Sequence, residues 1–137
     1  MKAALIDTDI VFVFLRGHHN VKARMAAYFE TQDALYLSII TLYEILSGLE
    51  HRDAHKQMGR FRDFSRDCVV CPLTEDSVRI SARFYAKLRQ EGKTLDDLDL
   101  LIAGTALANE LVIVTHNRKH FDRIEGLEVE NWSEAAG

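Results

Sequence analysis

The stretch Gly92-Lys93-Thr94-Leu95-Asp96-Asp97-Leu98-Asp99-Leu100-Leu101-Ile102-Ala103-Gly104 sets three carboxylates within four positions, directly ahead of an apolar, small-residue run. The run reads as helix. Leu100, Ala103 and Leu107 share one face, and Leu98, Leu101 and Ile102 share another. Asp96 and Asp99 stand three apart and project from one side of the first turn, while Asp97 lies about 100° around and points elsewhere. Acids at a helix start cap free N–H groups and complement the helix dipole, each worth roughly 0.3–1 kcal/mol. That ordinary explanation stops being sufficient once the other acids are placed, because they fall where buried strands end.

Residues 3–6 form a short apolar run closed by Asp7. They read as a first, buried parallel strand with its carboxylate at the C-terminal tip, the edge where open α/β sheets bind ligands. Thr8 or Asp9 is expected to cap the helix over residues 10–15. Arg16-Gly17-His18-His19-Asn20 breaks that helix, and residues 21–31 make an amphipathic one with Lys22 and Arg24 outward. Residues 34–38 read as the second strand. The strongly apolar helix after it, residues 39–49, has Leu42, Ile45, Leu46 and Leu49 on its core face and a single acid, Glu44, beside them. A charged helix over 51–66 and a strand over 68–73 follow. The long helix over 74–91 carries Val78, Ala82, Tyr85 and Leu88 at helical spacing, which places Phe84 and Tyr85 in the core. Residues 111–115 make a fourth strand that delivers His116 to Asp122 to the same edge, and 126–132 a last short one. Strands and helices alternate without repeats or linkers, so the expectation is one α/β domain over 1–137 with a mainly parallel sheet.

Composition narrows the function classes. A chain of 137 residues, 47% hydrophobic and with one proline, has enough apolar content for a packed core and is not a disordered segment. No apolar stretch is long enough to span a bilayer, and residues 1–7 break into charge too early for a signal peptide, which makes the cytoplasm the expected compartment and excludes a membrane role. Cys68 and Cys71 lie on a strand, where their sulfurs face opposite sides of the sheet. They read as buried structural thiols, since a redox pair opens a helix and a zinc site needs further ligands. The net charge of −4 argues against a non-specific polycation. If Asp7, Glu44, Asp96 and Asp99 form one site, however, the remainder of the chain is formally neutral, and a bound cation offsets the cluster itself.

Those four acids, with a polar group after Thr115, converge if the strands pair in parallel. Unit charges about 4 Å apart interact by roughly 4 kcal/mol at an effective dielectric near 20. Such a cluster raises carboxylate pKa values or recruits a cation. Oxygen ligands without cysteine or a helical His pair suit Mg2+ or Mn2+ rather than zinc. A metal there bridges a phosphate oxygen and supports in-line hydrolysis of a phosphodiester.

Several stretches carry a family resemblance: Leu5-Ile6-Asp7-Thr8; Thr41-Leu42-Tyr43-Glu44-Ile45-Leu46-Ser47-Gly48; Asp99-Leu100-Leu101-Ile102-Ala103 with Gly92 ahead; Val114-Thr115-His116-Asn117 followed by Phe121; and the closing residues 126–132. In this order, over nearly the whole chain, they resemble the PIN-domain ribonucleases, specifically the VapC toxins of toxin–antitoxin pairs. The resemblance implies a three-layer α/β fold with a five-stranded parallel sheet between helices, and Mg2+-dependent endoribonuclease activity on structured RNA such as tRNA or rRNA. It also implies homodimers and a VapB-like antitoxin whose C-terminal peptide covers the active site. The family's metal ligands fall on Asp7, Glu44 and Asp99 with Asp96 accessory, and Thr8 and Thr115 match hydroxyl positions near the metal. Where the family often carries further acids, this chain has Asn117 and His120, which bears on a second metal more than on the first. Arg16, Lys22, Arg24, Arg118 and Lys119 are the expected RNA contacts. Two other readings compete. Asp7-Thr8-Asp9 resembles the opening of haloacid-dehalogenase-type phosphatases, though the other motifs of that family are missing, and a PIN fold can serve as a non-catalytic interaction module.

Overall fold

Short β-branched and apolar runs form the strands, and the longer segments of 3.6-residue periodicity between them form the helices. The computed structural model describes residues 1–52 and 54–135. In chain order the elements are β1 (Ala4–Ile6), α1 (Thr8–Leu15), α2 (His19–Phe29), β2 (Leu35–Ser38), α3 (Ile39–His51) and α4 (His55–Ser65). They continue with β3 (Cys68–Cys71), α5 (Glu75–Gln90), α6 (Asp97–Ala108), β4 (Val112–Val114), α7 (Arg118–Phe121) and β5 (Val129–Glu130). All pairings are parallel, in the order β3-β2-β1-β4-β5, the five-stranded sheet between helices that the resemblance implies. β1 is central: Leu5 pairs with Tyr36 on one side and Ile113 on the other. The chain winds outward from β1 through β2 to β3 and then crosses to β4, so the strand order reverses beside β1. The crevice outside the C-terminal ends of β1 and β4 is therefore the switch point where such sheets bind ligands.

Strand alternation divides the core. Ala4 and Ile6 join Ile10, Tyr28, Leu37, Ile45 and Trp132 on one face, while Leu5 joins Leu88, Leu100, Ile102 and Phe121 on the other. Each fully buried side chain of this kind contributes roughly 1.5–3 kcal/mol. The Tyr28 hydroxyl donates to the Ala34 carbonyl (2.7 Å) and accepts from the Ala4 amide (3.1 Å), so the ring is buried without stranding its polar end. Cys68 packs with the first cluster and Cys71 with the second, both unpaired, as their spacing on a strand requires.

Four local expectations are corrected. The cap of α1 is Asp7 itself, whose side chain accepts from the Thr8 amide, and not Thr8 or Asp9. The apolar helix α3 continues to His51 and the charged one starts at His55, with Asp53 between them outside the described residues. Leu46 is not on the core face of α3; it is 37% exposed, and Thr41 takes a buried place on that face instead. In α5 the buried stripe is Ser77, Ser81 and Leu88, with Phe84 packed beside it, while Val78 and Tyr85 face out. The reason is α6, which lies so close that only small side chains fit between the helices. A Cβ at Gly104 would stand 2.5 Å from the Ser77 carbonyl oxygen. The serines tolerate burial because their hydroxyls bond locally: Ser81 Oγ lies 2.9 Å from both the Ser77 and the Leu100 carbonyls. Gly92, in the left-handed region (φ 70°), ends α5. Its amide donates to Arg89 and that of Lys93 to Leu88, which turns the chain back into α6.

Candidate active site

A strand that ends at the switch point hands its next residue to the crevice, and for β1 that residue is Asp7. Its amide still donates to the Val114 carbonyl (2.8 Å), so the sheet fixes its position. Asp7 Oδ1 accepts from the Thr8 amide and Oδ2 from the Thr115 hydroxyl, both at 2.8 Å. Thr115 is itself fully buried, and its Oγ1 accepts from the Asn117 amide at 3.0 Å. The side chain of Asn117 is exposed and makes no cap hydrogen bond at the start of α7.

Helix α3 brings Glu44 to the same crevice. The Thr8 hydroxyl donates to Glu44 Oε1 at 2.7 Å and lies 3.1 Å from the Thr41 hydroxyl, a tie between the first turn of α1 and α3. From α6 comes Asp99, half-buried, while Asp96 is the exposed N-cap whose carboxylate accepts from the Leu98 amide (3.2 Å). Asp97 is exposed on that turn. The structural role considered for this acidic run therefore belongs to Asp96, and Asp99 is left for the crevice.

Asp9 lies outside the metal-ligand set that the sequence suggests, yet it sits in the cluster. Because α1 begins at Thr8, Asp9 falls in the first turn and reaches the β4–α7 connection, where its Oδ2 accepts from the His116 amide at 3.1 Å. Its Oδ1 is buried and has no hydrogen-bond partner. The signal was present in the Asp7-Thr8-Asp9 spacing, but a short acid just after a strand reads equally as a cap.

The acids act on one another. Burial, then the charge of Asp9, pushes the Asp7 carboxyl up from the ordinary 3.8 to about 7, against the lowering effect of Thr115 and Thr8. Burial also raises Asp9, opposed by the His116 amide. Asp99 is raised by burial, then by Asp96 and Glu44, while the nearby His120 lowers it. Among the described residues none of these carboxylates forms an ion pair with lysine or arginine.

The expected RNA-contact residues scatter more widely. Arg16 is the exposed C-cap of α1 and lines a groove that also holds Asp9 and His116. Lys22 lines a different groove, with Phe14, Met25 and Phe29. Arg24 is half-buried rather than outward, with Nη1 3.9 Å from Glu130. Arg118 is 3.7 Å from Asp122, and Lys119 beside it on α7 is exposed.

The PIN domain family profile matches residues 4–127. The chain belongs to the PIN-domain family. Relatives within it include proteins named VapC. It is 32% identical over 121 residues to Ribonuclease VapC1 of Methanocaldococcus jannaschii, covering 88% of this chain and 80% of that one. It is 27% identical over 131 residues to the tRNA(fMet)-specific endonuclease VapC of Shigella flexneri, covering 94% and 97%. The VapBC2 crystal structure from Rickettsia felis, bound to a promoter DNA fragment, superposes with a TM-score of 0.87 at 23% identity, covering 95% of this chain and 98% of that one. At 23% identity the superposition shows that the fold is shared.

The residues of this PIN crevice fit a hard divalent cation by their chemistry: oxygen donors only, no compensating cation, and a buried carboxylate oxygen without a partner. As they stand, no three acids, histidines or cysteines among the described residues converge closely enough to enclose an ion.

Proposed function

We propose that this chain is a divalent-metal-dependent endoribonuclease, the toxin of a toxin–antitoxin pair, which hydrolyses phosphodiester bonds in structured RNA such as tRNA or rRNA. The observation that carries the reading is Asp7: a buried carboxylate at the switch point, raised to about 7 and facing Asp9 and Asp99 without a paired cation. Asp7, Asp99 and Glu44 would hold Mg2+, or Mn2+ in its place, with Asp96 at the rim. When bound, the ion supplies charge for the phosphate and lowers the pKa of the attacking water. The chain's own contribution is positioning. Thr115 and the Thr8 amide fix the plane of Asp7, the Thr8 hydroxyl holds Glu44, and Asp9 secures the β4–α7 turn that carries Asn117. Asn117 brings an amide oxygen without charge, suited to orienting water rather than to holding a second ion. Arg118 and Lys119, next along α7, and Arg16 at the end of α1 supply positive charge for the RNA backbone, whereas Lys22, in the separate groove, and Arg24, beside Glu130, stand apart from them.

The assay is cleavage of total tRNA and rRNA by the purified protein with and without Mg2+, in wild type, Asp99→Asn and Asp97→Asn. Asp99→Asn is expected to lose more than about a hundredfold in rate, since changing a ligand costs at least what changing a residue that orients one does; Asp97→Asn keeps most of the activity. Equal loss in both variants would mean the phase of α6 is misassigned at the site. Metal binding without cleavage would select the non-catalytic module.

The partner reading has its own support. The similar R. felis structure is a VapBC complex, and here a groove of about 810 Å³ between α1, α2 and α4, lined by Phe14, Leu15, Met25, Phe29 and Phe64, offers an apolar surface to a segment of a VapB-like antitoxin. A homodimer is supported by apolar residues left facing out: Ile39, Tyr43 and Leu46 on one side of α3, and Val69, Leu73, Val78 and Tyr85 from β3 to α5. In sedimentation the wild type should run as a dimer and Tyr43→Asp as a folded monomer. A monomeric wild type at micromolar concentration removes the homodimer. No helix among the described residues is long and apolar enough to cross a membrane, which fits the cytoplasmic placement such a toxin needs.

A further inference from the structure

The seam between α1 and α3 does not end at the acids. Thr8 meets Thr41 and Glu44 at its start. One turn on, Phe12 lies against Gly48, where a Cβ would come within 3.0 Å of the ring. Beyond that, the Arg52 guanidinium sits over the Phe12 ring, 5.2 Å from its centroid, with Nε donating to the Gly48 carbonyl at 3.2 Å. Glu44, Gly48 and Arg52 repeat every four residues on α3, and Thr8, Phe12 and Arg16 do the same on α1, so each helix adds about 12 Å of continuous seam. Along it runs an open groove of about 720 Å³, with Asp9 and His116 at the acid end and Phe12, Arg16, Gly48 and Arg52 along its walls.

We propose that this groove is a nucleotide subsite: it takes one unpaired base of the RNA beside the scissile phosphate, stacked on the outer face of the Arg52 guanidinium, with the adjoining phosphate held by Arg16. The inference rests on the ribonuclease reading and adds where the substrate strand runs. Its volume lies in the range of small-ligand sites. Guanidinium planes and aromatic rings are what unpaired bases stack on. Phe12 beneath, and the bond to Gly48, hold the plane of Arg52 fixed before any ligand arrives, which lowers the ordering cost of binding. Gly48 permits this because a side chain there would lift the ring off α3. Among the described residues Arg16 forms no ion pair, and Arg52 is bound only through Nε, so both keep donors for phosphate. Glu134, the acid at the other wall, repels a phosphate and directs the backbone toward Arg16. A guanidinium plane held for stacking, with donors still free beside it, favours nucleic acid over an apolar peptide.

The test titrates a fluorescein-labelled single-stranded RNA, too short to fold, with wild type, Arg52→Ala, Arg52→Lys and Arg16→Ala in EDTA, so that no cleavage intervenes. Arg52→Ala is expected to weaken binding about tenfold and to flatten the salt dependence by somewhat under one unit of slope. Arg52→Lys should restore the slope but not the affinity, because an ammonium carries the charge without the plane. In Mg2+ the same variants should raise KM for RNA cleavage with kcat near wild type. Thermal melts accompany every variant; if Arg52→Ala melts low, Arg52→Lys and Arg16→Ala carry the comparison. Wild-type affinity and KM in folded variants overturn the subsite while leaving the nuclease reading intact, and so does full rescue by lysine. Loss of binding to a protein partner with RNA binding unchanged overturns it in favour of a protein interface. A wild type that neither binds nor cleaves RNA removes the nuclease reading, and the subsite with it.

Discussion

Asp7→Asn is expected to abolish RNA cleavage and, in metal-free buffer at pH 8, to raise the melting temperature. The buried Asp7 carboxyl titrates near 7 in the folded protein against 3.8 for an ordinary aspartate. Between those values the native state keeps a proton that the unfolded chain has released. Stability is therefore fully present below about pH 4 and is lost as pH rises through about 7, above which the native protein carries a buried charge. A difference of about three units corresponds to roughly 4 kcal/mol. Asparagine removes that charge at nearly constant volume. Its amide oxygen can still accept from Thr8, and its NH2 can donate to Thr115 Oγ1. Divalent metal acts in the opposite sense, because it binds the ionised form. One site saturated at 100 times its Kd adds about 2.7 kcal/mol to the wild type and little to Asp7→Asn. Melts at pH 5 and 8, with EDTA or with Mg2+, check all three statements. A variant that melts below wild type at pH 8 in EDTA would show that the carboxylate is already compensated. Equal Mg2+ shifts in the two proteins would place the ion elsewhere.

Gly104→Ala is expected to be the most damaging alanine substitution among the described glycines. The added carbon would lie 2.5 Å from the Ser77 carbonyl oxygen and closer still to Ser81 Oγ. The hydroxyl can rotate away; the carbonyl cannot, so α5 and α6 must separate. Overpacking of this kind costs about 1–3 kcal/mol or more, and the expected fall in Tm is roughly 3–12 °C. Since α6 also carries Asp99, cleavage should fall with it. Ser81→Ala in the Gly104→Ala background should restore part of the loss, as it removes only the nearer of the two contacts. A Gly104→Ala protein with wild-type Tm and activity would mean the helices stand farther apart than described.

The candidate site was legible to different depths for physical reasons. Asp7 and Glu44 show in the sequence because each interrupts or borders an apolar run, and burial of such a run leaves an acid at its end conspicuous. Asp99 could be separated from Asp97 by helical phase alone, and the structure leaves Asp99 half-buried while Asp97 is exposed. Asp9 could not be assigned that way. Its place depends on α1 starting at Thr8, which follows from Asp7 serving as the cap, and on the β4–α7 turn arriving with a free His116 amide. The orientation of Arg24 was hidden likewise, since it depends on Glu130 at the end of β5.

By itself the sequence determined the alternation of elements, the parallel sheet and the acids at its C-terminal edge, because continuous apolar strand runs, 3.6-residue helical periodicity and strand-end polarity are local properties of the chain. It equally determined that Cys68 and Cys71 lie on opposite faces. Only the tertiary structure decided which side of α5 is buried. The sequence offered Val78 and Tyr85 as core, and the close approach of α6 at Gly104 put Ser77 and Ser81 there instead. A helix face is buried by what packs on it, and where two backbones come near contact, small self-bonded hydroxyls exclude water better than large apolar side chains that do not fit. The tertiary structure also made the Asp7 carboxyl unusual. Its shift arises from burial and from Asp9 and Asp99, groups brought around it by different helices, and such a field exists only once the chain has folded.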